Sequence, residues 1–398
     1  MTNPALLKVL LAANGVRVDP LLRGDPTVDR PLGSSAATRL DLVLPDAVRV
    51  SAPIVERSPF LLVGNGRGHL VEGETGGATP LRVAVEVTPL PRFLGRRTRS
   101  GMPMSRIAAV RGEHLVLSPA AACGFSVHGA PCRFCVEGAR SAVDREAAAV
   151  EDVVEVVRAA FEERAGSDVY FNSGVFDAED GGIGFLTPYV EAVRRHFDTL
   201  VAVQVHPPRA NAWIDHAYAM GVDALSFNLE IFDETAFERH CVGRARYIGR
   251  DRYLEALAYA ARIFPSGTVW TDLVLGVEPV ASTLAGIDAL TALGVVPVVS
   301  IVRGDHALPP PDELGPVLAG LYRAVRDRGI ALGWVRDLAL GVSPLEARWF
   351  AGDGARLAVA MQHVTRSRLG GAAARTLARF RRRLRVRGTG DPADVARH

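Results

Sequence analysis

The chain of 398 residues is 48% hydrophobic and 23% charged, with 46 basic against 44 acidic side chains and a formal charge of +2. So small a basic excess argues against a protein held mainly by nucleic-acid phosphates. The apolar content excludes a largely disordered chain. No apolar run approaches the roughly 18–20 residues of a membrane span. The longest, Ala289–Val302, is broken by Thr291, Gly294, Pro297 and Ser300.

The opening stretch, Met1–Gly15, has the look of a short signal core, but Lys8 interrupts it and no A-x-A site closes it. It reads as an amphipathic helix in a cytoplasmic protein. Lys8 is the only lysine, so nearly all positive charge is arginine, and the body of the chain offers no lysine for Schiff-base chemistry. Up to residue 110 the pattern is short β-type runs, Leu40–Leu44, Ala47–Val50, Pro59–Val63 and Leu81–Thr88. Clusters rich in Gly, Pro and Asp separate them. Residues 1–110 therefore read as a β-rich N-terminal extension.

From about 112 the pattern changes to apolar strands alternating with helices. The strands fall at Leu115–Leu117, Val169–Asn172, Leu200–Val205, Ala224–Leu229, Val269–Leu275 and Val296–Val302. Helices fall between them at Ala142–Arg164, Thr187–Phe197, Ala210–Met220, Arg252–Phe264 and Thr283–Leu293, each with a period near 3.6 residues. This alternation implies parallel βαβ units with right-handed crossovers. The fold class expected for 111–310 is α/β, a partial (β/α)6 TIM-type barrel whose chemistry sits where strands end and loops begin. Residues 311–398 read as a helical C-terminal extension, with helices at Pro316–Arg328, Leu345–Arg368 and Ala372–Arg387. The last is strongly basic and is expected to present a solvated arginine face.

Three of the four cysteines lie within thirteen residues, in Cys123-Gly-Phe-Ser-Val-His-Gly-Ala-Pro-Cys132-Arg-Phe-Cys135. A disulfide scaffold would spread its cysteines; a metal or cluster site bunches them. Thiolates select zinc, copper(I) or iron–sulfur clusters. A Cys3His zinc site completed by His128 fits the count, although His128 sits inside the loop. A [4Fe–4S] cluster on three cysteines leaves one iron open, and the loop follows the first barrel strand, at the reactive mouth.

In these residues the chain resembles the radical S-adenosylmethionine (SAM) superfamily. Its usual motif is C-x3-C-x2-C, here stretched to C-x8-C-x2-C, a lengthening whose entropic cost grows slowly. Over about 97–310 the order of short segments is similar to the branch that includes biotin synthase. The resemblance implies Cys123, Cys132 and Cys135 as cluster ligands. Phe134 would border the SAM adenine, and Asn172-Ser173-Gly174 would form the turn for the methionyl amino group. Glu230 would meet SAM, or pair with an arginine such as Arg246. Gly276, like Gly174, would allow close backbone approach.

The implied chemistry is one-electron cleavage of SAM to a 5′-deoxyadenosyl radical that abstracts hydrogen from a small molecule. The electron would come from a donor such as flavodoxin or ferredoxin. His206, at the end of the third strand, and Arg303, after the sixth, are candidates for handling substrate, Arg303 by gripping a carboxylate. Cys241 reads as a buried thiol, with radical quenching as its alternative. With only Cys241 left over, a second cysteine-ligated cluster is not expected. Two rival functions remain open: a zinc-stabilised binding protein, and a barrel of this type that has lost its activity.

Overall fold

The computed structural model describes residues 3–22, 24–25, 28, 39–64, 69–73, 81–120, 122–135, 146–301, 308–332, 341–352 and 368–384. Among these the strands form two sheets. The first contains β1 (Arg17–Val18), β2 (Arg39–Val43), β3 (Arg49–Pro53), β4 (Phe60–Gly64), β5 (His69–Gly73) and β6 (Leu81–Thr88), in the order β1-β4-β5-β6-β2-β3. In β6 every second residue is buried, the period of a sheet with one wet face. Its apolar side packs on a core of its own with Leu7, Leu11 and Ala12 of the N-terminal helix Pro4–Asn14.

The second sheet runs β14-β13-β12-β11-β10-β9-β8-β7. Its members are β7 (Ala108–Arg111), β8 (His114–Leu117), β9 (Asp168–Asn172), β10 (Val201–Val205), β11 (Ala224–Phe227), β12 (Val269–Leu275), β13 (Val296–Ile301) and β14 (Gly341–Val342). From β8 to β13 all pairings are parallel and successive, so the sheet is the curled half-barrel expected from the six apolar runs. The helices between them span Val150–Glu162, Ile183–His196, Ala212–Ala219, Arg250–Ile263 and Val280–Ala292. Two antiparallel edge strands were not expected. β7 precedes β8 through the two-residue turn Gly112–Glu113, and β14 returns against β13.

Alternation along the strands divides the sheet into two faces. Val169, Phe171, Val201, Val203, Val205, Leu225, Phe227 and Leu273 join the main core on the helix side. Ala202, Ala224, Trp270, Val296 and Val298, with Tyr170 against them, form a separate small core on the concave side. Two residues further along the same face the character becomes polar: Asn172, Gln204, Asp272 and Ser300. The concave surface is thus apolar at its base and hydrogen-bonding towards the ends of the strands.

The C-terminal segment closes the opposite end. The basic helix, observed over Arg368–Leu384, does not present all its arginines to solvent. Arg379 pairs with Asp198, and both oxygens of Asp223 accept from Arg382 at 2.9 Å. Both acids precede barrel strands, so the helix covers the base of the barrel, away from the cysteines. Of the expected helix Leu345–Arg368, a short turn at Pro344–Ala347 is present, and residues 353–367 lie outside the described residues. Lys8 is wholly buried; its Nζ donates to both carboxylate oxygens of Glu346 at 2.8 and 3.0 Å. Glu346 in turn completes a capping box with Ser343, so one buried ion pair joins the N-terminal helix to the segment around Pro344–Ala347.

Candidate active site

Past β8 the chain turns through Cys123 into a one-turn helix, Gly124–Val127, then returns by Ala130 to Cys132 and Cys135. The turn rests on the loop after β9. Gly124 N donates to Gly174 O at 2.8 Å, and a Cβ on Gly174 would stand 3.1 Å from Cys123 Cα. Gly174 therefore allows a close backbone approach, and the segment approached is the cysteine loop itself. Cys123 is half-buried, Cys132 buried and Cys135 exposed.

Phe134, between the last two cysteines, is buried in the main core. Ser173 is buried too, and its hydroxyl accepts from Val175 N, which shapes the turn after β9. Gly276 has φ +83° directly after β12, a conformation that favours glycine. Two residues on, the buried Glu278 accepts from the backbone N–H groups of Phe232 and Asp233 at 2.7 and 2.6 Å. That carboxylate fixes the loop carrying Glu230. Arg303 lies outside the described residues.

Glu230 has φ +68°, rare for a residue with a Cβ, and continues the sheet by one bridge to Leu273. Its carboxylate pairs with Arg244 Nη1 at 2.6 Å. The arginine partner is thus Arg244 and not Arg246, whose guanidinium lies over the exposed Tyr247 ring. On the helix Val242–Tyr247 the two positions differ by two residues, about 200° around the axis, so only one can face the barrel. Arg244 also donates to Asn228 O at 2.6 Å.

Cys241 completes this group. It is fully buried, and donor atoms of Cys132, Glu230 and Cys241 lie within 4.8 Å of one another. A hydrogen bond from Cys241 lowers the Cys132 thiol against the opposing effect of burial, and the Arg244 charge adds to the lowering. The same contact, with burial, drives the Cys241 thiol far upward. Of the two sulfurs, Cys132 is the one held ready to be thiolate.

His206 faces the group from the end of β10. It is 7% exposed, Nδ1 is 3.3 Å from the Tyr253 hydroxyl, and its ring meets Phe125 edge-on. Gly181 holds it from behind, since a Cβ there would stand 2.1 Å from His206 O. Among the described residues His206 Nε2, Ser126 Oγ and Arg244 Nε are buried with no hydrogen-bond partner, and such orphans mark a place built for something further. Burial, then the Arg244 charge, pushes His206 down to about 3. A depressed histidine stays neutral in the fold while the unfolded chain takes up a proton below about pH 6.5. Its contribution to stability is present above that pH and is lost as pH falls towards 3. We expect thermal midpoints measured from pH 7 to pH 5 to fall more steeply in the native chain than in His206→Gln. Equal slopes would show that His206 is not held neutral.

Asp272 was not singled out in the sequence, although a lone acid within Val-Trp-Thr-Asp-Leu-Val-Leu is a visible signal. Its Oδ2 accepts from Ser300 Oγ at 3.0 Å and from Asn228 Nδ2 at 3.3 Å. Burial, then the nearby Glu230 charge, pushes the carboxyl up to about 7. A raised acid contributes stability that is fully present below its unfolded value near 4 and is lost as pH rises through 7. Asp272→Asn should accordingly gain on the native chain as pH rises from 4 through 7. A difference in melting temperature that is flat across that interval would contradict the assignment.

No protein-family model matches the chain. A curated relative, bacteriochlorophyllide c C-7(1)-hydroxylase of Chlorobaculum limnaeum, is 27% identical over 139 residues, 32% of this chain and 35% of the hydroxylase. The chain therefore spans about a third of that relative's length. Among solved structures, methylornithine synthase matches at TM-score 0.43 and 14% identity, over 59% of this chain and 72% of that one. A radical SAM methyltransferase from Sphaerobacter thermophilus matches at 0.39 and 15%, over 70% and 76%. The FeFe-hydrogenase maturase HydG of Carboxydothermus hydrogenoformans matches at 0.43 and 13%, over 54% and 52%. The chain is similar to radical SAM enzymes. Three thiols stand on one loop at the ends of the parallel strands, with uncompensated polar atoms of Ser126, His206 and Arg244 in the same region.

Proposed function

We propose that the chain is a radical SAM enzyme acting on a small molecule, with an external one-electron donor such as flavodoxin or ferredoxin. The observation that carries this reading is the position of the cysteine loop. It follows the first of six parallel strands and is backed by Gly174 at the end of the second. Cys123, Cys132 and Cys135 would hold a [4Fe–4S] cluster. Bound there, cluster and SAM would supply one-electron, hydrogen-abstracting chemistry. The chain's own part is to bind, orient and keep water out.

Asn172, Ser173 and Gly174 would offer the turn for the methionyl group, and Phe134, Glu230 and Gly276 would line the remainder of SAM. Glu230 reaches the mouth as a carboxylate whose charge Arg244 balances, so a ligand cation can share it without leaving an unpaired buried charge. His206, neutral at pH 7, can accept or donate one hydrogen bond through Nε2 but holds no positive charge. It would orient substrate, and Arg303 would take an anionic group.

A second reading has one observation in its favour. Cys132, Glu230 and Cys241 are close enough to share a single ion such as zinc, a grouping that does not include His128. Arg244, already bound to Glu230, opposes it. One experiment separates the two. The protein is purified without oxygen, reconstituted with iron and sulfide, and given SAM and dithionite. Iron, acid-labile sulfide and zinc are counted and 5′-deoxyadenosine is assayed, beside Cys132→Ala and Cys135→Ala. The proposal expects about four irons and four sulfides per chain, and nucleoside from the native chain alone. One tight zinc with intact SAM would overturn it.

A further inference from the structure

The fourth cysteine has no place in the cluster reading, yet it is not an isolated buried thiol. Two backbone hydrogen bonds clamp its segment to the cysteine loop: Arg133 N donates to His240 O at 2.9 Å, and Gly243 N donates to Ala130 O at 3.1 Å. Together they hold the turn between the helices Glu234–His240 and Val242–Tyr247, which carries Cys241, against the loop that carries Cys132. Gly243 makes the approach possible, since a Cβ there would lie 2.5 Å from Ala130 O. The two sulfurs face each other across the clamp, both as free thiols, with Cys132 9% and Cys241 0% exposed. The two sulfurs already lie within 4.8 Å of one another, and a disulfide brings such a pair to about 2.05 Å.

We infer that Cys132 and Cys241 form a reversible disulfide in the cluster-free protein, a redox modification that removes Cys132 from the cluster ligands. The oxidant is a hydroperoxide. The Cys132 sulfur attacks the peroxide oxygen to give a sulfenic acid and water. The Cys241 sulfur then displaces the hydroxyl as a second water, so two thiols and one hydrogen peroxide yield one disulfide and two waters. Two electrons leave the sulfur pair and reduce the peroxide. The cycle closes when a dithiol reductant returns both sulfurs to thiols. Enclosure within the clamp favours the disulfide over further oxidation, because Cys241 reaches the sulfenic acid before a second peroxide does. Cys135 is exposed on the same loop and stands outside the grouping of Cys132 with Cys241.

The consequence for cluster assembly rests on the reading of Cys132 as a cluster ligand; the disulfide itself does not. The full-length apoprotein is treated with hydrogen peroxide, alkylated, digested and mapped by mass spectrometry, then offered iron and sulfide before and after dithiothreitol. We expect a mass loss of two hydrogens, a Cys132–Cys241 linked peptide, and iron uptake that is lost on oxidation and restored by the reductant. Cys241→Ser should give no such peptide and keep its iron uptake after the same treatment and a reductant rinse. The native-chain peptide map stands even if that variant fails to fold. Linkage of Cys132 to Cys123 or Cys135, or no linkage at all, overturns the inference. A Cys132–Cys241 peptide in a chain that never takes up iron would instead overturn the cluster reading and leave the disulfide standing.

Discussion

Replacing Lys8 with methionine should cost the protein about 3–5 kcal/mol of folding stability, the usual penalty for stripping one partner from a buried ion pair. Lys8 is 0% exposed and Glu346 3%, so solvent does not screen the loss. The carboxylate would keep its bonds from the Ser343 backbone N–H and hydroxyl, at 2.9 and 3.2 Å, but no cation. Burial already raises the Glu346 carboxyl above its ordinary range, with Lys8 the largest opposing influence, and the variant removes that influence. A chemical denaturation curve at pH 7 measures the effect. The double variant Lys8→Met, Glu346→Leu should recover most of it, because an apolar pair of similar volume needs no solvation. A single variant within about 0.5 kcal/mol of the native chain, the ordinary range for surface changes, would mean that water reaches the pair.

A comparable loss is expected for Arg244→Met, again about 3–5 kcal/mol by the same reasoning. This guanidinium balances Glu230 and satisfies Asn228 O, with side chains 11% and 16% exposed across the ion pair. Two nearby groups should report the change independently of stability. His206, held down partly by the Arg244 charge, should titrate higher in the variant, while burial still keeps it below its ordinary value. The Cys132 thiol should rise for the same reason, and alkylation near neutral pH would slow. Glu230→Gln added to Arg244→Met should restore a large part of the stability. An unmoved His206 titration in the single variant would show that the guanidinium is not where the electrostatics of the site require it.

The six parallel strands were legible because apolar residues predominate in each, as expected of strands in a sheet covered on both faces. Their bounds agree with the sequence reading to within a residue or two, as for Val269–Leu275. The edges were not legible. β7 holds only Ala-Ala-Val-Arg and β14 only Gly-Val, too short for any periodicity, and both exist because a neighbouring strand offers unpaired backbone. The cysteine loop announced itself through local spacing. The position of Cys241 against Cys132 did not, since 108 residues lie between them and the contact is fixed by two backbone hydrogen bonds between a loop and a helix end. Arg244 was displaced in the reading by Arg246 because helix phase, and not proximity in sequence, decides which arginine faces Glu230. Arginine content likewise suggested a solvated last helix, where acids at the ends of distant loops, Asp198 and Asp223, take up two of its charges.

The burial of the chain's one lysine has a practical corollary. A folded molecule holds no ε-amine within reach of acylating or cross-linking reagents, while every unfolded molecule exposes one. Modification of Lys8 by an amine-reactive ester would therefore count opening events, and at low reagent concentration its rate would follow the equilibrium fraction opened. The site lies where the N-terminal helix meets Glu346, so this single residue would time the parting of that helix from the segment around Glu346 without any label being engineered in.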